Sequence, residues 1–334
     1  HEWRPGSETG HHARATRPFR APEAAVSSTR DAIKRALHAA SFYRARLRAR
    51  PFPGAAVLAY HAIRPDASLS SPLPFEQLHV RTSRFEEQCA VVRELCQPLT
   101  FDDWARIAAG EVDVPERAAL VTFDDGYRTV LTEALPILEK YEIPAVVFLC
   151  TRPIESGQGF WFDTMAARGG EDAVEHVKEL PWREWREVAA QYEQGMPLAP
   201  IAPLTVDDVR TLAAHRLITI GSHSATHPLL SQAPLEVQHA ELDQLKVTLE
   251  SWIARPVTAF AYPNGRPRVD YDGNTIRALA ACGFQHAFAV GHQFARYEMS
   301  PFEQHRFLML DSVRGMELAH CLTLSWPRLA AAAS

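Results

Sequence analysis

No stretch of the sequence approaches the roughly 20 consecutive apolar residues of a membrane-spanning helix. The first residues also lack the basic-then-apolar pattern of a secretory leader. Neither absence points to a membrane anchor, and the expected location is the cytoplasm. Cysteine is scarce. Cys89, Cys96, Cys150, Cys282 and Cys321 are odd in number and show no metal-type pairing, which argues against a disulfide framework and predicts reduced thiols that mostly serve as core residues. There is no solenoid-type internal repeat. No recognisable nucleic-acid-binding motif accompanies the basic residues, so a nucleic-acid partner is not expected.

What is present suits a globular enzyme-sized chain. Its 334 residues are 46% hydrophobic and 22% charged, enough to bury a substantial core in one large domain with appendages. Charge is uneven: residues 1–50 hold 11 Lys and Arg against 4 Asp and Glu, although the whole chain carries −5. Residues 1–27, rich in Pro, Gly, His and Arg without a period, are expected to be disordered. Over 28–50, Ile33, Ala36, Leu37, Ala40, Tyr43 and Leu47 recur at helical spacing among arginines. This predicts a basic amphipathic helix packed on the domain with a solvated Arg face; peripheral contact with an anionic membrane surface is the alternative.

From residue 51 to 334 short apolar runs alternate with amphipathic segments. Strands are expected at 55–60, 118–123, 145–149, 217–221, 257–262 and 286–290, and helices at 128–141, 235–253 and 273–282. Continuous apolar strands between helices predict a mostly parallel sheet covered by helices, open or closed into a barrel. The stretch 151–204 is far too long for a βα loop. It is expected to be a helical insertion at the strand-end face, with Trp161, Trp182 and Trp185 either packing it onto the domain or stacking on a ligand.

Thr-Phe-Asp-Asp occurs twice, in LTFDDW (99–104) and VTFDDG (121–126). In the first copy Thr100 and Asp103 match a helix-capping pattern, repeated by Thr205 and Asp208. The second copy ends an apolar run and precedes Gly126, so Asp124 and Asp125 should emerge at the carboxyl end of a strand, where parallel α/β folds place their sites. His223 and His227 follow another apolar strand. With 15 histidines in the chain the His-x-x-x-His spacing says little alone, but position at a strand end raises it. Two imidazoles and a carboxylate suit Zn²⁺ in hydrolysis, or non-haem Fe(II). The His-x-Asp or His-x-Glu triplet usual for the latter is missing from the strand ends, which favours hydrolysis. Two further strand ends carry FAYPNGR (260–266), whose turn leaves the Asn264 N–H free, and VLAYHAI (57–63), where His61 follows the strand.

In this order TFDDG, HSATH and AYPNG resemble the polysaccharide deacetylase family, also called the NodB-homology domain or carbohydrate esterase family 4. The similarity runs from about Ala55 to Asp311, and VLAYHAI, GFWFDTM and RFLML resemble its bacterial exopolysaccharide-associated subgroup. The resemblance implies an α/β fold, a distorted (β/α) barrel with fewer regular strands than eight. It implies divalent-metal-dependent removal of acetyl groups, most often from N-acetylhexosamine-containing glycans. Carried over, Asp124 is the general base, and Asp125, His223 and His227 hold the ion, with Zn²⁺ expected. His61 is the catalytic acid. The Asn264 N–H, beside Tyr262 and Pro263, binds the oxyanion and substrate. The third motif lacks its usual Arg before Pro263, and Arg306 is the substitute expected to orient Asp124; no late Leu-x-His motif is evident. An O-acetyl esterase or other small-amide hydrolase on the same fold, or a catalytically silent carbohydrate-binding relative, are the alternatives.

Overall fold

A computed structural model describes residues 33, 34, 36, 37, 42–49, 52–67, 72–198, 201–296 and 298–324. Its strands are β1 (Ala56–Tyr60), β2 (Ile63–Arg64), β3 (Val80–Arg81), β4 (Gln97–Pro98), β5 (Ala118–Phe123), β6 (Ala145–Leu149), β7 (Ile218–Ser222), β8 (Ala259–Ala261), β9 (His286–Val290) and β10 (Gln304–Leu308). Seven of them run parallel in the order β1-β10-β9-β8-β7-β6-β5, and β1 pairs again with β5 to close a barrel. β4 extends the sheet beside β5, and β2 pairs with β3 outside it.

Both faces of the barrel wall are buried, which explains the unbroken apolar runs. Val57, Leu120, Val146, Phe148, Ala259, Ala261 and Phe288 fill the interior. Their alternate neighbours Leu58, Val121, Phe123, Val147, Phe260 and Ala287 face the surrounding helices. Gly221 is needed for close approach: a Cβ there would meet the Phe148 ring at 2.4 Å.

The first Thr-Phe-Asp-Asp copy plugs the amino-terminal end of the barrel. Thr100 and Asp103 form a reciprocal capping box that starts the helix Phe101–Ala108. Phe101, Trp104 and Ile107 from that helix join the interior cluster, with Trp104 5.5 Å from Phe288 and Phe101 5.6 Å from His286, the first residue of β9. Thr100→Ala should therefore cost about 1 kcal/mol in urea unfolding and leave any metal affinity unchanged, because the plug lies at the end of the barrel away from Asp125, the ligand expected from sequence. Thr205 and Asp208 build the same box ahead of the helix Val206–Ala214.

The expected strands at 118–123, 145–149 and 286–290 are found with those bounds, and the others shift or shorten by one to three residues. β10 was not anticipated as a strand. It reads QHRFL, and only Arg306 and Gln304, buried polar side chains, alternate with its apolar position Phe307. The expected helix at 128–141 divides into a π-helical turn, Val130–Ala134, and an α-helix, Leu135–Tyr141.

Between β6 and the helix leading into β7 lie four helices, Thr151–Ser156, Trp161–Gly169, Glu171–Lys178 and Trp182–Tyr192. Trp161 and Trp185 are buried together, their rings edge-on at 5.5 Å, and Trp182 stacks on Trp185 at 5.0 Å. These tryptophans build the insertion's own core. In the basic segment, the helix Phe42–Ala49 buries Tyr43 and Leu47 on the domain, while Arg44 pairs with Glu94 at 2.8 Å and Lys34 with Glu317. The expectation for 1–27 lies outside the described residues.

Candidate metal centre and active site

Strand alternation delivers the carboxylates. Thr122 points inward, its hydroxyl donating to the Leu58 carbonyl (3.0 Å), Phe123 points outward into the helix layer, and Asp124 points inward again. The Asp124 N–H donates to the Tyr60 carbonyl (2.8 Å), tying the end of β5 to that of β1. Asp125 then adopts a left-handed conformation (φ 71°) and Gly126 follows at φ 97°, where a Cβ would lie 2.9 Å from Leu149. The reversal turns Asp125 towards β7.

There it meets the two histidines. Asp125 Oδ1 lies 3.4 Å from His223 Nε2 and 3.6 Å from His227 Nε2. One donor atom from each of the three residues falls within 4.8 Å of the others. The His223 tautomer is set by its surroundings: Nδ1 donates to the Ala261 carbonyl (2.8 Å), which leaves the Nε2 lone pair facing Asp125. Asp125 Oδ1 is buried without a hydrogen-bond donor, a costly state for a carboxylate oxygen that a cation would relieve. The donor set, one carboxylate and two neutral imidazoles, fits a divalent ion such as Zn²⁺.

Burial opposes the charge of Asp125, but His223 and then His61 outweigh it and hold the carboxyl well below its usual range. Burial pushes His227 down to about 3, so its ring stays neutral. His223 shifts the other way, because Asp124 and Asp125 outweigh its burial.

Asp124 is gripped from across the barrel. Arg306, on β10, donates through Nη1 to Oδ1 (2.7 Å) and Nη2 to Oδ2 (2.8 Å), with Nη1 also 3.3 Å from the Thr122 hydroxyl. Both partners are almost wholly buried, and the guanidinium lies 5.6 Å from the Phe148 ring centre. Burial would raise the Asp124 pKa; the Arg306 charge, then His223, overcome it and keep the carboxyl below its ordinary value. Asp124 is thus ionised and fixed in orientation.

His61 directly follows β1, whose register sets Tyr60 level with Phe123, so His61 stands level with Asp124 on the neighbouring strand. Its Nδ1 is buried without a partner. Asn264 sits in a left-handed turn (φ 56°) after β8, and its N–H makes no hydrogen bond among the described residues. Pro263 is buried and its carbonyl accepts from Gly265 N–H at 2.6 Å. His61, His227 and Asn264 are partly exposed, so the cluster opens to solvent at the carboxyl ends of the strands. The Tyr262 ring does not join them: it faces the helix layer, stacks on Tyr271 at 3.7 Å and donates its hydroxyl to the Phe302 carbonyl. Period-two alternation after inward-facing Ala261 sends that side chain outward.

Several nearby groups were not singled out from sequence. Tyr127 donates to Asp163 of the insertion (2.9 Å), Phe162 packs on His227 at 4.8 Å, and buried His79 lies edge-on to Tyr127 at 5.4 Å. Burial, then the adjacent His61, pushes His79 down to about 3. GFWFDTM marked the region of Asp163 without assigning it a contact, and nothing in the string around His79 distinguishes it from a surface histidine.

Fold and cluster together define a parallel α/β barrel whose carboxyl-terminal mouth carries three donors able to hold a cation. A family model described as polysaccharide deacetylase matches residues 111–287, and the chain belongs to that family. Among curated proteins it is similar to a poly-β-1,6-N-acetyl-D-glucosamine N-deacetylase of Escherichia coli (strain K12), with 35% identity over 116 residues. That match spans 34% of this chain and only 16% of the relative's length. In overall fold it resembles the Streptococcus pyogenes deacetylase PplD in complex with acetate (TM-score 0.58, 19% identity, 81% of this chain and 99% of that one). It likewise resembles IcaB from Ammonifex degensii (TM-score 0.57, 18% identity, 81% and 97%). The expected barrel class is therefore met, with seven strands closed in place of eight.

Proposed function

We propose that this chain is a metal-dependent hydrolase that removes acetyl groups from N-acetylated sugars of a polysaccharide. The observation that carries the reading is the convergence of Asp125, His223 and His227 beside an ionised, Arg-held Asp124. An N-acetyl amide is a weak electrophile with a poor leaving group. Its hydrolysis needs an activated water, relief of charge on the carbonyl oxygen and a proton for the departing nitrogen. Asp125, His223 and His227 would hold the ion, Zn²⁺ by their donor chemistry, which when bound polarises the acetyl carbonyl and makes water more acidic.

The chain's own groups do the rest. Asp124, charged and held in place by Arg306, accepts the proton of the attacking water. The Asn264 N–H donates to the oxygen on which negative charge develops, a contact of a kind worth about 3 kcal/mol. His61 delivers a proton to the sugar nitrogen as the C–N bond breaks, so that acetate and a free amino sugar leave. The chain's similarity to a named poly-N-acetylglucosamine deacetylase supports N-acetylglucosamine units as the first substrates to try.

Acetate release from N-acetylglucosamine oligomers is the direct test. It should vanish when the ion is stripped by a chelator and return on adding Zn²⁺. Release that persists after complete metal removal would defeat the reading, as would a zinc-loaded protein that frees no acetate from any N-acetylated glycan.

A further inference from the structure

The two histidines of the cluster are held by different means. His223 is fixed through its ring by the bond to the Ala261 carbonyl. His227 has no equivalent: its Nδ1 is buried without a partner, and its ring is held by packing alone, against Phe162 and the His223 ring. The orientation of His227 must therefore come through its backbone. That backbone is not self-supporting, because Ser224 (φ 65°) and His227 (φ 58°) are both left-handed within one four-residue span, a conformation that residues with a Cβ adopt only when their surroundings impose it.

Tracing the loop's hydrogen bonds shows what imposes it. His223 N–H donates to the Leu149 carbonyl (2.9 Å) and His227 N–H to the Ser224 hydroxyl (3.0 Å). The remaining span is gripped from outside. Ala225 N–H, Thr226 N–H and the Thr226 hydroxyl all donate to one oxygen, Glu241 Oε1, at 3.1, 2.7 and 2.9 Å. Glu241 stands on the helix Leu235–Ile253, and it is not one of the three candidate cation donors. A charged acceptor taking three donors makes stronger bonds than a neutral one would.

We infer that Glu241 is the positioning residue for His227: by clamping 225–226 it holds the left-handed turn that aims the His227 ring at Asp125. The inference rests on the metal-dependent reading above. Outer groups that orient a ligand typically govern about 10–100-fold of metal affinity, and here the clamp acts on backbone because the ring lacks its own bond.

The test compares wild type, Glu241→Ala, Glu241→Gln and a packing control, Leu322→Ala in the helix Gly315–Thr323. Each full chain is stripped of metal, and Zn²⁺ affinity is measured by competition with a chromophoric chelator, alongside the visible absorption spectrum of the Co²⁺ form. Glu241→Ala should lose about 10–100-fold in Zn²⁺ affinity and change the Co²⁺ spectrum. Glu241→Gln, whose neutral amide oxygen still accepts but bonds less strongly, should fall between the alanine variant and wild type, and the packing control should stay near wild type. An alanine variant with wild-type affinity and spectrum overturns the clamp; so does a packing control that loses as much. If the alanine variant fails to fold, Glu241→Asp, too short to reach all three donors, should fall in the same direction, and no loss there overturns the clamp equally. A wild-type chain that binds neither ion defeats the metal-dependent reading itself, an outcome separate from tight wild-type binding with an indifferent variant.

Discussion

Arg306→Ala is expected to lower stability by about 3–5 kcal/mol, because it leaves Asp124 as an uncompensated buried charge. The same change should alter chemistry through the base. In the wild type the Asp124 pKa lies below its ordinary value. The pair's stabilisation is therefore fully present above the unfolded carboxyl pKa of about 3.9, and it is lost as pH falls through the folded value. Without Arg306, burial becomes the dominant influence and the folded pKa rises. The acid limb of the rate profile should then move towards neutral pH, and the contribution of Asp124 to stability should fall as pH rises. Arg306→Lys keeps the charge but not the planar two-pronged grip on Oδ1 and Oδ2, and should lie between. Urea midpoints across pH, with acetate-release rates on the same samples, check both halves. Asp124→Asn isolates the chemical part: the rate should drop by about 10²–10⁴-fold with Zn²⁺ affinity retained. An Arg306→Ala protein with wild-type stability and an unmoved acid limb would dismiss the pairing as incidental.

The second large effect concerns His61. If it protonates the leaving nitrogen, His61→Ala should slow hydrolysis of N-acetyl substrates by about 10²–10⁴-fold. An activated acetyl ester, whose leaving group departs without a proton, should be cleaved nearly as before. His61 is suited to the task by place: it stands level with Asp124 on the adjoining strand and is partly exposed. Asp124 and His61 could then approach a substrate from neighbouring strand ends, one taking a proton and the other giving one. Losses of equal size on amide and ester would remove His61 from that role and leave it a structural neighbour of the cluster. Comparing the two substrates on one preparation makes the result independent of how much protein is folded.

Which parts could be read from the string follows from how the residues are used. β5, β6 and β9 were legible because a barrel wall buried on both faces is apolar at nearly every position, Thr122 and His286 being their only polar members. The Asp125, His223 and His227 set was legible because each member closes such a run. β10 was not, since its inward positions hold the buried polar side chains Gln304 and Arg306, the latter matched by a partner far off in the chain. Arg306 lies 182 residues from Asp124, a separation no local pattern records. Glu241 was invisible for a related reason: on its own helix it looks like any acidic residue of an amphipathic face. Tyr262 shows the converse, a motif neighbour whose ring the pleat sends away from the site.

The barrel closes where β10 slides in beside β1, so the opening and final staves of the wall are neighbours. During synthesis, then, Asp124 emerges from the ribosome long before the guanidinium that holds it, and β1 waits with one side bare until Gln304–Leu308 has been made. The carboxylate is thus fixed in orientation only once the last strand of the wall has docked.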